Sequence, residues 1–179
     1  MALSDNALVW IDLEMTGLDP ETCAIVQMGM IITDTELREL AQPWEVTLRQ
    51  PDAVLAQMEP FVRAMHEKSG LLPRIHASQI SLADAEKQAL EIVMKHVAYR
   101  GGRLSGNSIG QDRRFLVKYM PTFERYLHYR QIDVTTLKEL ANNWYNKAYP
   151  KSEAGEHTAL FDIQQSIAEL KFLRKEIFR

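Results

Sequence analysis

The distribution of apolar and polar positions divides the chain into an N-terminal part with strand-like patterns and a C-terminal part in which helices predominate. Segments rich in β-branched and aromatic residues, separated by polar turn residues, predict strands in the first part. These segments are Leu8–Met15, Ala24–Thr33 and Trp44–Leu48. Their spacing predicts an antiparallel meander.

Apolar residues recur at helical spacing from Leu82 onwards, with short strand-like segments between the helices. Ser81 is the predicted N-cap of the first long helix, and Thr136 with Glu139 three residues later has the form of a capping box. The predicted elements are a helix at Leu82–Ala98, a strand at Arg103–Gly106, a helix at Gln111–Tyr119, a strand at Ile132–Val134, a helix at Thr136–Tyr145, a loop at Asn146–Glu156 and a helix from Thr158. This order predicts an α/β fold, a mixed sheet with helices on its faces, in a single domain over residues 1–179.

Composition narrows the classes of protein that this fold can serve. The 179 residues are 46% hydrophobic and carry 24 acidic against 21 basic side chains, a formal net charge of −3. This balance disfavours a protein that holds long nucleic acid by charge alone, because such domains tend to be basic. The longest apolar run, Ala7–Ile11, is far shorter than the roughly 18 residues of a membrane span. The single Cys23 permits no intrachain disulfide and favours a reducing, cytoplasmic location.

Two carboxylates interrupt the first predicted strand. Asp12 and Glu14 are two residues apart, so their side chains share one face of the strand. Burying adjacent carboxylates is costly unless they are paired or bind a cation. Oxygen ligands at this spacing suit Mg²⁺ or Mn²⁺. The alternative is that the strand leaves the core at Asp12 and that water solvates both acids.

Three further residues supply groups that metal-dependent hydrolysis needs. Asp112 begins the helix after Gly106–Gly110, and His157 and Asp162 open the last helix. Each has a simpler explanation, because the helix dipole favours acids in a first turn and a histidine there is often a cap or a surface residue. Together with the two acids of the first strand, they match a two-metal hydrolase: oxygen ligands for two ions and a base of intrinsic pKa about 6.5.

The order of these residues, and longer blocks around them, resemble a known family. The Asp-x-Glu on the first strand, the central aspartate, and a histidine five residues before the last aspartate resemble the DEDDh class of 3′→5′ exonucleases. Within that class, the longer blocks are similar to the oligoribonuclease family: IDLEMTGLDP at 11–20, GNSIGQDRRF at 106–115, KYMP at 118–121 and the segment 128–141. The resemblance extends over essentially the whole chain.

This resemblance implies a ribonuclease H-like α/β fold, a homodimer, and two Mg²⁺ or Mn²⁺ ions per active site. It also implies hydrolysis of very short RNA, especially dinucleotides, to nucleoside 5′-monophosphates. By position, His157 would be the general base, and the metal ligands would be Asp12, Glu14, Asp112 and Asp162.

The resemblance further implies three residues that contact the bases and the terminal sugar. Leu18 would be a wedge between the two bases, Phe61 would stack on a base where a Trp is common, and His66 would reach the sugar at the 3′ end. Without the resemblance, a turn leucine and a core aromatic are the simpler roles of the first two.

A cap on the 5′ phosphate is implied as well. Ser108 would form it with Tyr129, Arg130 and Thr135, the last three supplied by the partner subunit, and Thr135 keeps the hydroxyl of a common Ser. The simpler role of Tyr129 and Arg130 is a solvated strand edge. A solvated basic helix face is predicted nearby: Arg113, Arg114 and Lys118.

Three residues depart from the family pattern. Gln27 stands where a glutamate is usual, and Phe161 and Gln165 replace residues that are often acidic. These departures leave open a silenced fold that binds nucleotides without hydrolysing them. A DEDDh exonuclease that acts on longer RNA or DNA is the other alternative.

Overall fold

A five-stranded mixed sheet organises residues 2–150 and 158–178, the part of the chain that the computed structural model describes. Its strands are β1 (Ala7–Met15), β2 (Ile25–Thr33), β3 (Trp44–Thr47), β4 (Gly102–Gly106) and β5 (His128–Asp133), in the spatial order β3-β2-β1-β4-β5. The first three strands are antiparallel, and β4 and β5 are parallel to β1. The predicted meander and the α/β class are confirmed.

Helices cover both faces of this sheet. They are α1 (Asp52–Leu55), α2 (Pro60–Lys68), α3 (Leu71–Ala77), α4 (Leu82–His96), α5 (Gly110–Tyr119), α6 (Pro121–Tyr126), α7 (Val134–Tyr145) and α8 (Ala159–Ile177). The long helices match the periodic segments of the sequence. The short helices α1, α2, α3 and α6 were not predicted, because each offers only one or two turns of apolar periodicity. Within the described ranges, no helix has the length and apolar character required to cross a bilayer.

The two predicted helix caps had different outcomes. Ser81 does cap α4, since its hydroxyl accepts a hydrogen bond from Asp84 N at 3.1 Å within a capping box. The capping box predicted at Thr136 is wrong. Helix α7 begins two residues earlier, and its N-cap is Asp133, whose Oδ1 accepts from Thr135 N at 3.0 Å. An aspartate at the end of a strand satisfies the first free N–H groups before Thr136 is reached.

Strand β1 runs through the centre of the core and is buried on both faces along its first half. Its odd-numbered residues, such as Val9 and Ile11, pack with α4, α5 and α6. Its even-numbered residues, Leu8 and Trp10, pack with α7 and α8. Asp12 is the next even-numbered position, so the acidic residues begin where this second apolar cluster ends.

The predicted solvated basic face is correct for Arg114 but wrong for Arg113 and Lys118. Lys118 Nζ donates to the Pro20 carbonyl oxygen at 2.7 Å and pairs with Glu21 at 3.0 Å. The Arg113 guanidinium binds Glu124 at 2.7 Å and donates to the carbonyl oxygens of His128 at 3.1 Å and Tyr129 at 2.9 Å. Its side chain is only 17% exposed. It joins α5 to α6 and to the beginning of β5, where several free carbonyl groups attract a cation with multiple donors.

Replacing Arg113 by Met should lower the free energy of unfolding by about 2 kcal/mol, because charged hydrogen bonds to Glu124 and to two carbonyl groups are lost together. Urea denaturation measures the change. Arg114→Met, on the same helix but exposed, is the matched control and should stay within about 0.5 kcal/mol of the unmodified protein. Equal losses in the two variants would refute the structural role of Arg113.

Candidate active site

Three carboxylates meet where β1 leaves the apolar core. Asp12 and Glu14 project from β1 towards α8, and Asp162 lies in the first turn of α8. One ligand oxygen from each of the three lies within 4.8 Å of the others, close enough to hold a metal ion. The structure thus brings together acidic residues that are separated by about 150 positions in the sequence.

A glycine allows α8 to approach the sheet at this point. Gly29 on β2 pairs with Asp12 on β1. A Cβ atom at Gly29 would lie 2.9 Å from the Cβ of Ala159, the first residue of α8. Because real Cβ atoms do not approach so closely, a glycine here lets the first turn of α8, and with it Asp162, lie directly on the sheet.

Asp112 lies beside this group but is held differently. It is buried in the first turn of α5, and its Oδ1 accepts a hydrogen bond from Leu13 N at 2.9 Å. The pairing of β1 with β4 ends at Trp10 of β1. Leu13 lies beyond it, and there Leu13 N donates to Asp112 instead. The charge of Asp112 raises the pKa of both Asp12 and Glu14, so it belongs to the same electrostatic site.

The acids oppose one another's ionisation. Burial, and then the charges of Asp112, Glu14 and Asp162, raise the pKa of Asp12 well above its ordinary value. Burial and the neighbouring acids raise the pKa of Glu14 to about 7. Burial also raises the pKa of Asp112 to about 7, although the hydrogen bond from Leu13 N acts in the opposite direction. Hard oxygen donors that resist ionisation until a cation arrives fit a divalent metal ion.

A pocket of about 400 Å³ extends from the acidic group along α8. Asp162, Ser166 and Glu169 line one side of it, at spacings that place them on one helix face. Seven residues of helix span roughly 10 Å, so the pocket is short. Its remaining lining residues are Asp12, Asn107, Ser108, Thr135, Lys138, Glu139, Tyr149, Phe161 and Gln165.

The far end of the pocket contains two of the predicted phosphate-cap residues in direct contact. Ser108 N donates to Thr135 Oγ1 at 2.9 Å and to Asp133 Oδ1 at 3.1 Å, and the two hydroxyl groups are 3.2 Å apart. Thr135 therefore lines the pocket of its own chain, and the expectation that a partner subunit supplies it is wrong. The physical reason is that Asp133 Oδ1 accepts hydrogen bonds both from Thr135 N, at the start of α7, and from Ser108 N, in the turn between β4 and α5. Asp133 therefore holds Thr135 beside Ser108 of the same chain.

Tyr129 and Arg130 do not line this pocket. Both are exposed on β5, at the edge of the sheet, and Tyr129 is 70% exposed. The Tyr129 ring stacks on His128 with 4.6 Å between centroids, and Arg130 Nε donates to Tyr129 Oη at 3.0 Å. The two side chains form an ordered group on the surface of the sheet edge.

The residues expected to contact the bases lie on the surface. Leu18 is 71% exposed, and its carbonyl oxygen accepts a hydrogen bond from Gln111 Nε2. Phe61, at the start of α2, is 77% exposed, so it is not the core aromatic of the simpler interpretation. Both apolar side chains are therefore accessible to a flat apolar ligand.

His66, which was expected to reach the sugar at the 3′ end, lies beside Glu14. It is buried, and its Nε2 donates to the Met15 carbonyl oxygen at 2.8 Å. Its Nδ1 lies 3.9 Å from Glu14 Oε2. His157, the predicted general base, lies outside the described residues; it directly precedes Thr158, the N-cap of α8.

The sequence did not single out Lys138 and Glu169, which line the pocket. Glu169 is 3% exposed; its Oε2 accepts from Asn107 Nδ2 at 3.1 Å and lies 3.6 Å from Lys138 Nζ. Its Oε1 has no hydrogen-bond partner among the described residues. The signal that could have identified Glu169 is its position seven residues after Asp162, two helical turns along the same face.

Comparison with known proteins defines the class. A family model described as Exonuclease (RNase_T) matches residues 9–170, and the mixed sheet with its acidic group agrees with a nuclease of this class. More specifically, the chain belongs to the oligoribonuclease family, as its motifs predicted. It is 47% identical to an oligoribonuclease of Vibrio cholerae over 180 residues, 100% of this chain and 99% of that protein. It is 49% identical to one of Francisella tularensis subsp. holarctica, over 99% of this chain and 98% of that protein.

Solved structures share the fold at low sequence identity. Exonuclease I of Methylocaldum szegediense superposes with a TM-score of 0.74 at 18% identity, and a zinc-bound complex of Escherichia coli exonuclease I with single-stranded DNA with 0.72 at 14% identity. In both cases the match covers 96% of this chain but only 41% of the other. The predicted ribonuclease H-like fold is confirmed by these neighbours.

The raised pKa of Glu14 predicts how stability depends on pH when no metal is present. The pKa of Glu14 is about 7 in the folded protein, against an ordinary value of 4.5. Between these two pH values, Glu14 keeps its proton in the folded protein and loses it in the unfolded chain. Glu14 leaves the free energy of unfolding unchanged below about pH 4.5 and lowers it increasingly from there up to about pH 7. In EDTA, the melting temperature should therefore fall more steeply between about pH 5 and pH 8 in the unmodified protein than in Glu14→Gln.

Scanning calorimetry measures both slopes. Asp12 and Asp112 shift in the same direction, so the variant should keep part of the pH dependence. Identical slopes for the two proteins would contradict the electrostatic description of the site.

Proposed function

We propose that this exonuclease hydrolyses very short RNA, dinucleotides above all, from the 3′ end to nucleoside 5′-monophosphates, using two divalent ions of the Mg²⁺ or Mn²⁺ type. The observation that carries the proposal is the acidic group beside a pocket of only about 400 Å³. We further propose a homodimer, as the family resemblance implies, that works in the cytoplasm, as the single Cys23 favours.

Four carboxylates are available as metal ligands. Asp12, Glu14 and Asp162 already lie within ligand distance of one another, and Asp112 is fixed at their side by its bond to Leu13 N. Bound there, two divalent ions would lower the pKa of a water molecule and stabilise negative charge on the departing oxygen. The donor set fits such ions because all its members are carboxylate oxygens.

The remaining chemistry is a proton transfer and an in-line displacement. His157 accepts the proton of the attacking water. The water oxygen bonds to the phosphorus of the 3′-terminal phosphodiester, and the bond from phosphorus to the 3′ oxygen of the preceding nucleotide breaks. The terminal nucleotide leaves with its 5′ phosphate. His66 borders this site, since its hydrogen bond to the Met15 carbonyl oxygen fixes the ring beside Glu14.

The length of the pocket supports a short substrate. Only roughly 10 Å of α8 separates Asp162 from Glu169, and Ser108, Thr135 and Lys138 in the same pocket offer hydroxyl groups and a positive charge to a terminal phosphate. The ion pair of Lys138 with Glu169 lines this pocket. Leu18 and Phe61, both exposed, provide the apolar surface for the bases.

The exposure of Tyr129 and Arg130 supports the dimer. An aromatic ring 70% exposed at a sheet edge, with an arginine ordered over it, is typical of residues that act across an interface. In a homodimer, these two side chains would complete the phosphate cap in the pocket of the other subunit. Thr135 has no such role, since it contacts Ser108 of its own chain.

Alanine at His157 or at Asp162 should reduce metal-dependent release of mononucleotides from a diribonucleotide by about 10²-fold or more, the usual contribution of a general base. Product release followed by chromatography measures the rate. His76→Ala, which changes an exposed histidine on α3, is the matched control and should retain full activity. A His157→Ala variant with most of its rate intact would refute the role of the base.

Rates on RNA of two and of twenty residues distinguish the proposal from its alternatives. The pocket predicts faster turnover of the two-residue substrate at equal concentrations of 3′ ends. Faster turnover of the twenty-residue RNA, or of DNA, would favour an exonuclease for longer strands. Binding of the dinucleotide in Mn²⁺ without turnover would indicate a silenced fold.

A further inference from the structure

Six residues of the antiparallel meander form two rows on the sheet face that α8 covers. Asp12 on β1, Gly29 on β2 and Glu45 on β3 are paired in one row. Glu14, Gln27 and Thr47 are paired in the next row. Directly paired residues of antiparallel strands point to the same face, and so do residues two positions apart. The acids on β1 and the polar residues on β2 and β3 therefore flank the same hollow at Gly29.

The N-terminus of α8 occupies this hollow and bonds to β2 and β3. Ala159 N donates to Gln27 Oε1 at 3.4 Å, and Leu160 N donates to Glu45 Oε1 at 3.3 Å. The third N–H group, of Phe161, is capped by Thr158 Oγ1 at 3.3 Å. The first N–H groups of a helix have no partners within the helix. Here, two of them are bonded to sheet side chains.

Both capping side chains are themselves held in place. Gln27 is buried, and its Nε2 donates to Thr47 Oγ1 at 3.3 Å. The other carboxylate oxygen of Glu45, Oε2, accepts from Arg74 Nη2 at 2.7 Å. The charge of Glu45 also lies at the positive end of the helix dipole, where a carboxylate is favoured.

We propose that Gln27 and Glu45 are positioning residues that fix Asp162 against Asp12 and Glu14 by bonding the first turn of α8 to the sheet. The inference rests on the proposed function, in which Asp162 is a metal ligand. Neither residue contacts the reacting atoms. Both act through the backbone of α8, at the N–H groups that lie three and two residues before Asp162. Residues that support metal ligands typically change metal affinity by about 10–100-fold when they are lost.

This role gives a physical reason for glutamine at position 27. The side chain faces Glu14 across the strand pair, and a glutamate there would add another negative charge to a group that already resists ionisation. Glutamine supplies the oxygen that Ala159 N needs without that charge. The departure of Gln27 from the family pattern therefore keeps the acceptor for Ala159 N and removes a charge beside Glu14.

The test is a titration of metal-free protein with Mn²⁺ alone, in which electron paramagnetic resonance reports free Mn²⁺. Gln27→Met is neutral, close in size and without an acceptor, so it should weaken Mn²⁺ binding about 10-fold with no change in charge. Glu45→Met should weaken it to a similar degree. Glu45→Gln keeps the acceptor oxygen and should stay within about 3-fold of the unmodified protein. Activity lost in the Met variants at low Mn²⁺ should return when Mn²⁺ is raised.

Ser81→Ala is the control for a purely structural effect, because it removes an N-cap from α4, a helix that contributes nothing to the pocket. It should lower the melting temperature and leave Mn²⁺ affinity unchanged. The proposal is overturned if the Met variants bind Mn²⁺ as tightly as the unmodified protein while their melting temperatures fall. If Gln27→Met does not fold, the comparison of Glu45→Met with Glu45→Gln decides alone, and equal affinities overturn the proposal. Absence of Mn²⁺ binding by the unmodified protein would instead refute the proposed function, before any variant is compared.

Discussion

Burial of carboxylates close to one another is the constraint on which the site depends. Asp12, Glu14, Asp112 and Asp162 come from three elements, and their burial beside one another raises the pKa of those on β1 and α5. Such a group is unfavourable for folding unless protons or cations neutralise it. The protein therefore bears a cost in stability for a site that is ready to receive divalent ions.

The sheet and α8 together position these carboxylates. Strand β1 fixes two of the acids by simple alternation, while α8 delivers Asp162 through close packing at Gly29. The same helix then lines the pocket with Ser166 and Glu169. Since one helix face carries both Asp162 and part of the pocket wall, a shift of the first turn would move both together. The first turn is itself bonded to side chains of β2 and β3.

Part of this arrangement is readable from the sequence. Alternation along β1 places Asp12 and Glu14 on one face, and the family motifs identify the remaining acids. The close approach of α8 to the sheet could not be predicted, because it depends on the missing Cβ at Gly29, which is distant from α8 in the sequence. Likewise, the contact of Thr135 with Ser108 depends on Asp133 capping α7. A local pattern also failed at Arg113, whose partners are carbonyl groups of another segment.

The most direct test of the central claim is a crystal structure with Mn²⁺ and a non-hydrolysable dinucleotide, read by anomalous scattering. The account predicts two Mn²⁺ peaks roughly 3.5–4 Å apart, bounded by Asp12, Glu14, Asp112 and Asp162, with the 5′ end of the dinucleotide at Ser108 and Thr135. Peaks elsewhere, or an acidic group that stays without metal while the dinucleotide is bound, would contradict it.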